Sequence, residues 1–298
     1  MTFEKLAPLA FALALLLAPG AAAPQDTPQA PASESGFRLS LGYDGGLLLK
    51  VLDIQIDERA SAQGFTVDAR LVSTGILAVI KHIDEIASSR GRIVAGDARP
   101  GVFEYQHLSG KSHRKARTTW GQNEVVTTSS PPFNGLGDPP ASLAQKLQGS
   151  DPLTTLMRLS LEGARDSLCR KPYYFFDGKQ FYALDFSEPR SSPPSSRETT
   201  LNLVNAFRCD VRYRALAGYA AKSPEKKDHS PPKPFQVDFA QVGVGGPWVI
   251  SRLGAATPLG WATIELKRLT VQRGAARLNP LVADSLRPTR YGIEQSSN

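Results

Sequence analysis

The chain has only two cysteines, Cys169 and Cys209, and the segment between them constrains the fold more than any other feature. Aromatic runs flank Asp177-Gly178 there, and this dipeptide between β-prone runs predicts an antiparallel hairpin with a two-residue type I′ turn. We expect one strand to end at Phe176 and its partner to begin at Lys179. A disulfide between the cysteines would close a loop of about 40 residues and stabilise the fold by roughly 4 kcal/mol. The alternative is a pair of buried free thiols.

The N-terminal residues have the pattern of a secretory signal peptide. An apolar run from Leu6 to Leu17 follows Lys5 and precedes Ala21-Ala22-Ala23, whose small side chains suit a signal peptidase. We expect cleavage after Ala22, with an uncleaved membrane anchor as the alternative. No later apolar run reaches the roughly 18 residues of a membrane span, so no transmembrane segment is expected after cleavage. Export to the periplasm, an oxidising compartment, favours the disulfide over free thiols.

Apolar residues alternate with polar ones over much of the chain, which is the pattern of half-buried strands. Examples are Phe37 to Tyr43 and Phe65 to Leu71. The prediction is an all-β, mainly antiparallel fold, either a strongly curved sheet or an incomplete or spiral barrel, with one short helix packed on it. The predicted organisation is a signal peptide over 1–22, a flexible linker over 23–36, a single β-rich domain over 37–273 and a polar tail over 274–298.

One helix has a clear start signal. Asp151 is a good N-cap, Pro152 suits the first helical position, and apolar residues follow mostly on one side. The segment from Ile76 to Ile86 fits either a helix or a strand. There we expect a short helical turn near Gly75–Ala78 that leads into a strand.

Three short motifs resemble a known bacterial family. They are Asp151-Pro152-Leu153 at the helix start, Phe176-Asp177-Gly178-Lys179 in the hairpin, and Thr257-Pro258-Leu259-Gly260-Trp261 before the last strand. In this order and spacing they resemble the family called domain of unknown function 3108, over about residues 37–273. The resemblance implies an exported envelope protein without a settled activity, and it supplies no catalytic residues.

The residues contain no readable reaction centre. Gly-x-Ser-x-Gly and a phosphate-binding glycine loop are both absent, so neither a nucleophile elbow nor a nucleotide site is predicted. The histidines, of which His107 and His113 are closest in sequence, lack the spacing of a zinc site. We therefore expect no catalytic residues, no metal and no cofactor. An unrecognised hydrolase stays a third hypothesis.

Two groups of residues are candidates for binding. Tyr173, Phe175 and Phe181 could line an apolar groove, although packing in the core explains such aromatics equally simply. Lys111, His113, Arg114, Lys115 and Arg117 form a basic run that could meet anionic headgroups. The alternative for this run is an edge strand that its charges protect from aggregation.

Charge and export together narrow the choice of partner. The formal net charge is +7, which in the cytoplasm would suggest nucleic acid. After export the nearer polyanions are lipid headgroups and cell-wall polymers, so no nucleic acid is expected. The leading hypothesis is a non-enzymatic periplasmic envelope protein that binds an apolar or lipid ligand in the concave face of its sheet. The alternative is a module that binds the cell wall or an envelope protein.

Overall fold

The computed structural model describes residues 36–47, 49–109, 113–221, 234–257 and 260–273. Three segments predicted from the sequence lie outside these ranges: the signal peptide, the linker up to residue 35 and the polar tail. The described strands are β1 Phe37–Gly46, β2 Lys50–Ala60, β3 Gly64–Ser73, β4 Asp84–Val94, β5 Asp97–His107, β6 Lys115–Trp120, β7 Val125–Ser130, β8 Tyr173–Phe176, β9 Phe181–Phe186, β10 Arg190–Ser191, β11 Leu203–Ala217, β12 Phe235–Val242, β13 Trp248–Thr257 and β14 Gly260–Arg273. The described helices are α1 Gly75–Ile80, α2 Leu143–Gln148, α3 Pro152–Leu161, α4 Arg165–Leu168 and α5 Ser196–Thr200.

All fourteen strands belong to one antiparallel sheet, as the alternating sequence pattern predicts. The strand order is β7-β6-β5-β4-β3-β2-β1-β14-β13-β12-β11-β9-β8, and the short β10 pairs with β11. The first and last strands, β1 and β14, pair in the middle of this order, from Phe37 opposite Arg273 to Gly46 opposite Thr263. The all-β prediction is therefore confirmed.

The sheet curls around α3. This helix contacts β3, β4 and β5 in one half of the strand order and β13 and β8 in the other. One helix can reach both halves only if the sheet bends around it. Eight of its ten residues are buried, and Leu153 and Met157 are completely enclosed among the inward side chains of β1 to β5 and β14. The helix therefore fills the concave face of the sheet.

Polar contacts hold the start of α3 against the wall of the sheet. The buried carboxylate of Asp151 accepts hydrogen bonds from the Thr154 N–H at 2.8 Å, the Thr154 hydroxyl at 2.6 Å and the Ser89 hydroxyl of β4 at 3.1 Å. Arg158 donates from Nε to the Ala98 carbonyl of β5 at 2.7 Å. Asp151 is thus the predicted N-cap, and it also links the helix to the sheet.

The two ends of the sheet, β7 and β8, do not pair with each other, so the barrel is incomplete. Side chains cover the gap instead. Trp120 of β6 meets Phe176 of β8 edge to face, with ring centroids 6.4 Å apart. Gly178, at φ +100°, sits so close to β6 that an added Cβ would lie 2.7 Å from Thr118 Oγ1.

The hairpin and the disulfide are both present. Cys169 follows α4, Cys209 lies in β11, and a disulfide joins them with 6.4 Å between their Cα atoms. The turn differs from the predicted two-residue type I′ turn. Phe176 pairs with Phe181, so the loop has four residues, and the Asp177 carboxylate organises it by accepting the N–H groups of Lys179 and Gln180.

The helix content exceeds the single helix that we expected. The turn predicted near Gly75–Ala78 is α1, and a strand follows it from Asp84, so that prediction is confirmed. However, α2, α4 and α5 were not predicted. Two of them, α2 and α5, have a local start signal. Each begins with a capping box, Ser142 with Gln145 and Ser195 with Glu198.

Candidate functional site

The three aromatic residues proposed for a ligand groove lie in packed cores. Tyr173 donates its hydroxyl to the Leu168 carbonyl at 3.2 Å, and Phe175 stacks on Tyr182 with centroids 4.9 Å apart. Phe181 belongs to a separate cluster with Phe176. The structure thus gives these side chains the packing role that the sequence left open as an alternative.

The predicted basic run does not form one face. Lys111 lies outside the described residues, and His113 has a φ of +40° just before β6 begins at Lys115. The strand β6 pairs with both β5 and β7, so the alternative of a charge-protected edge strand is wrong for this segment.

Of the remaining three residues, Lys115 is exposed and the two arginines are engaged separately. Arg114 donates to the carbonyls of Pro131 and Pro132 and lies over the Phe133 ring. Arg117 forms an ion pair with Glu104 at 2.5 Å. The predicted patch is therefore divided among local contacts.

A different surface stands out at one end of the sheet. Because neighbouring strands run in opposite directions, the connections β1–β2, β3–β4, β5–β6 and β13–β14 all lie at the end where β1 stops. The register shows this directly, since Gly46 faces both Lys50 of β2 and Thr263 of β14. Helix α1 is the β3–β4 connection.

Large apolar side chains are exposed on three of these connections, and Trp261 is exposed at the start of β14. We call them together the apolar rim: Leu47, Leu49, Ile76, Val79, Ile80, Leu108 and Trp261. Val79 is 87% exposed and Leu49 is 71% exposed. Helix α1 consists entirely of glycine and apolar residues, and none of them is buried. The sequence predicts a helical turn here but not its exposure, because exposure cannot be read from periodicity.

Backbone contacts join the connections of the apolar rim. The N–H of Thr74, which precedes α1, donates to the Val51 carbonyl of β2 at 2.8 Å. The Leu108 N–H donates to the Asp84 carbonyl at 2.8 Å. On the other side, an added Cβ at Gly260 would lie 3.9 Å from Leu47 Cδ2. These contacts make the connections neighbours at this end of the sheet, and grouped exposed apolar side chains are typical of an interaction site.

Most charged side chains beside the rim are paired. Lys50 bridges Asp44 and Asp53, each at 2.7 Å, and Arg70 pairs with Asp84 at 2.8 Å. Lys81, at the end of α1, is exposed and has no ion pair among the described residues. The acids named here thus have basic partners, while Lys81 has no acidic one.

Towards the end of the sheet opposite the rim, the interior contains an unusual acid. Glu58 of β2 is completely buried between Leu39 and Val67, and neither carboxylate oxygen has a hydrogen-bond partner. Burial raises the pKa of Glu58 to about 7, while the neighbouring Ser160 hydroxyl of α3 opposes this rise without meeting hydrogen-bond geometry. Glu58 in turn adds to the rise that burial causes in the pKa of Tyr43.

Within the described ranges, no three histidine, cysteine or acidic side chains group as metal ligands would. Nor does any helix there have the length and apolar character needed to cross a bilayer.

Comparisons with known proteins find a structural likeness but no family. No family model and no curated protein matches the chain. Among solved structures, it is similar to a beta-barrel-like protein of domain of unknown function DUF1849 from Brucella abortus. The sequence identity is 9% and the TM-score 0.44, over 81% of this chain and all of that one. The resemblance to domain of unknown function 3108 stays a prediction.

Proposed function

We propose that this is a non-enzymatic, exported envelope protein that attaches to an anionic lipid surface through the apolar rim. The disulfide supports an oxidising compartment, because such bonds rarely persist in the cytosol. The signal-peptide pattern of residues 1–22 supports the same location.

The single observation that carries the proposal is the apolar rim itself. The sequence suggested a lipid ligand in the concave face, but α3 occupies that face with buried leucine and methionine side chains. We therefore place the lipid contact at the rim. Apolar side chains with a tryptophan and flanking lysines are the composition expected of a segment that enters a membrane interface.

The positive charge of the protein favours an anionic lipid surface over an uncharged apolar partner. The free Lys81 lies beside the rim, and the whole chain carries +7. Each basic residue near an anionic membrane surface contributes about 1 kcal/mol of attraction, which salt screens. Binding should therefore need anionic lipid and weaken as salt rises.

The test compares vesicle binding by two matched variants. Val79 of the rim is 87% exposed, and Val244, at the opposite end of the sheet in the β12–β13 turn, is 84% exposed. Burying a valine side chain contributes about 1.5–3 kcal/mol, so Val79→Asp should weaken partitioning at least about tenfold. Val244→Asp should leave it unchanged.

The measurement is co-flotation of the mature protein with vesicles of phosphatidylcholine alone or with phosphatidylglycerol added. We expect binding to the anionic vesicles, its reduction in Val79→Asp and Lys81→Glu, and its retention in Val244→Asp. Equal binding by Val79→Asp and Val244→Asp would refute the proposal, as would no binding by the wild type.

A further inference from the structure

A second site lies on another part of the molecule. A pocket of about 200 Å³ opens between α5 and the strands β11 to β14. Charged side chains from both parts line it, with Leu203 and Leu266 among the apolar lining residues. Ligand pockets usually measure about 300–1,000 Å³, so this one suits a small molecule.

The register of four strands builds a row of alternating charges in this pocket. Arg208 of β11 pairs with Asp238 of β12, Asp238 pairs with Arg252 of β13, and Arg252 pairs with Glu265 of β14. Side chains of directly opposed residues lie on the same face of a sheet. The four groups therefore stand side by side.

The acids of the pocket are already occupied. Asp238 accepts both Nε and Nη2 of Arg208, at 2.5 and 2.7 Å. Glu265 accepts Lys267 at 2.5 Å. Glu198 of α5 accepts the Ser195 N–H at 2.6 Å as part of the capping box.

Two arginines of the pocket lack an acceptor. The contact between Arg252 Nε and Glu265 is an ion pair of 3.6 Å, too long for a hydrogen bond, and this enclosed Nε has no partner. Arg197 of α5 is exposed and has no ion pair among the residues that the structure describes. The Arg252 side chain as a whole is 38% exposed, so its terminal N–H groups and those of Arg197 would meet an anion in the pocket.

We propose that this pocket binds a small organic anion. Arg252 and Arg197 would hold its carboxylate or phosphate group, because a planar guanidinium presents forked N–H donors that match either group. A short apolar portion would contact Leu201, which also lines the pocket and is only partly buried. The site is separate from the apolar rim, and its failure would leave the lipid proposal untouched.

The test uses butyrate and butyl phosphate as probes for the two anionic groups. Their dissociation constants are measured by calorimetry on the mature protein, with ionic strength held constant by chloride. The variants are Arg252→Gln and Arg197→Gln, and the control is Arg92→Gln, which replaces an exposed arginine of β4 outside the pocket. The exposed position of Arg197 makes its variant safe for folding.

We expect at least one probe to bind, with a dissociation constant that rises tenfold or more in Arg252→Gln and in Arg197→Gln and stays the same in Arg92→Gln. The probe that binds more tightly identifies the anionic group. The proposal is overturned if neither probe binds in excess of chloride, or if a folded Arg197→Gln binds as well as the wild type.

Discussion

The unfolding free energy of Glu58→Gln, taken relative to that of the wild type, should be higher at high pH than at low pH. Glu58 is completely buried, without a hydrogen-bond partner for either oxygen, and burial raises its pKa to about 7. Among the groups packed around it, Leu39 and Val67 carry no charge, Ser160 offers only a hydroxyl, and Tyr43 stays neutral because its own pKa is raised. No cation offsets the ionised carboxylate.

The magnitude follows from the pKa of Glu58, which is about 7 in the folded protein against an ordinary value of 4.5. At about 1.4 kcal/mol per pH unit, this corresponds to roughly 3 kcal/mol. Below pH 4.5 both states hold the proton and nothing is lost. As the pH rises the unfolded state releases its proton first, so stability falls until the pH exceeds the folded pKa.

The assay is urea unfolding of wild type and Glu58→Gln at pH 5 and pH 8. The difference in unfolding free energy should move in favour of Glu58→Gln by about 2–3 kcal/mol between the two values. Burial also raises the pKa of Asp151 and that of Asp177, the latter to about 6, but both acids are present in each protein and their effects cancel. Glu124→Gln, at an exposed position, is the control. The same difference at both pH values would refute the reasoning.

Two further changes test the elements that hold the core together. Opening the disulfide by Cys169→Ser or by reductant should lower the unfolding free energy by about 4 kcal/mol for a separation of 40 residues, and equal melting temperatures of the wild type with and without reductant would contradict this. Asp151→Ala should cost about 2–4 kcal/mol in urea unfolding, because it removes the cap of α3 and leaves one buried donor unpaired in the bonded Ser89–Thr154 hydroxyl pair. A loss below about 1 kcal/mol would show that the cap does not hold the helix to the sheet.

The sequence predicts the strands well because alternation is a local property. The run from Phe65 to Leu71 lies within β3, and the run from Phe37 to Tyr43 lies within β1. Two of the three missed helices, α2 and α5, also had a local signal. Ser142 with Gln145 and Ser195 with Glu198 are capping boxes, but their surroundings are rich in proline, glycine and serine, which hides the signal.

The binding surfaces could not be predicted, because they depend on pairings between distant residues. The pocket requires Arg208 to lie opposite Asp238 and Arg252 opposite Glu265, which register alone decides. The apolar rim requires the β13–β14 turn to meet the β1–β2 turn. Likewise, the sequence identifies α3 as a helix that packs on the sheet. It does not show that the buried threonines of α3 are hydrogen-bonded, which allows the helix to fill the interior.

The pairing of β1 with β14 has a consequence for how the chain acquires its shape. A polypeptide is synthesised from its N-terminus, so β1 is made long before its neighbour β14. Until β14 is present, β1 and β13 lack the strand that lies between them. Contacts so far apart along the chain form slowly, since the intervening loop must first be closed. We therefore expect the pairing of β1 with β14 to be among the last contacts to form.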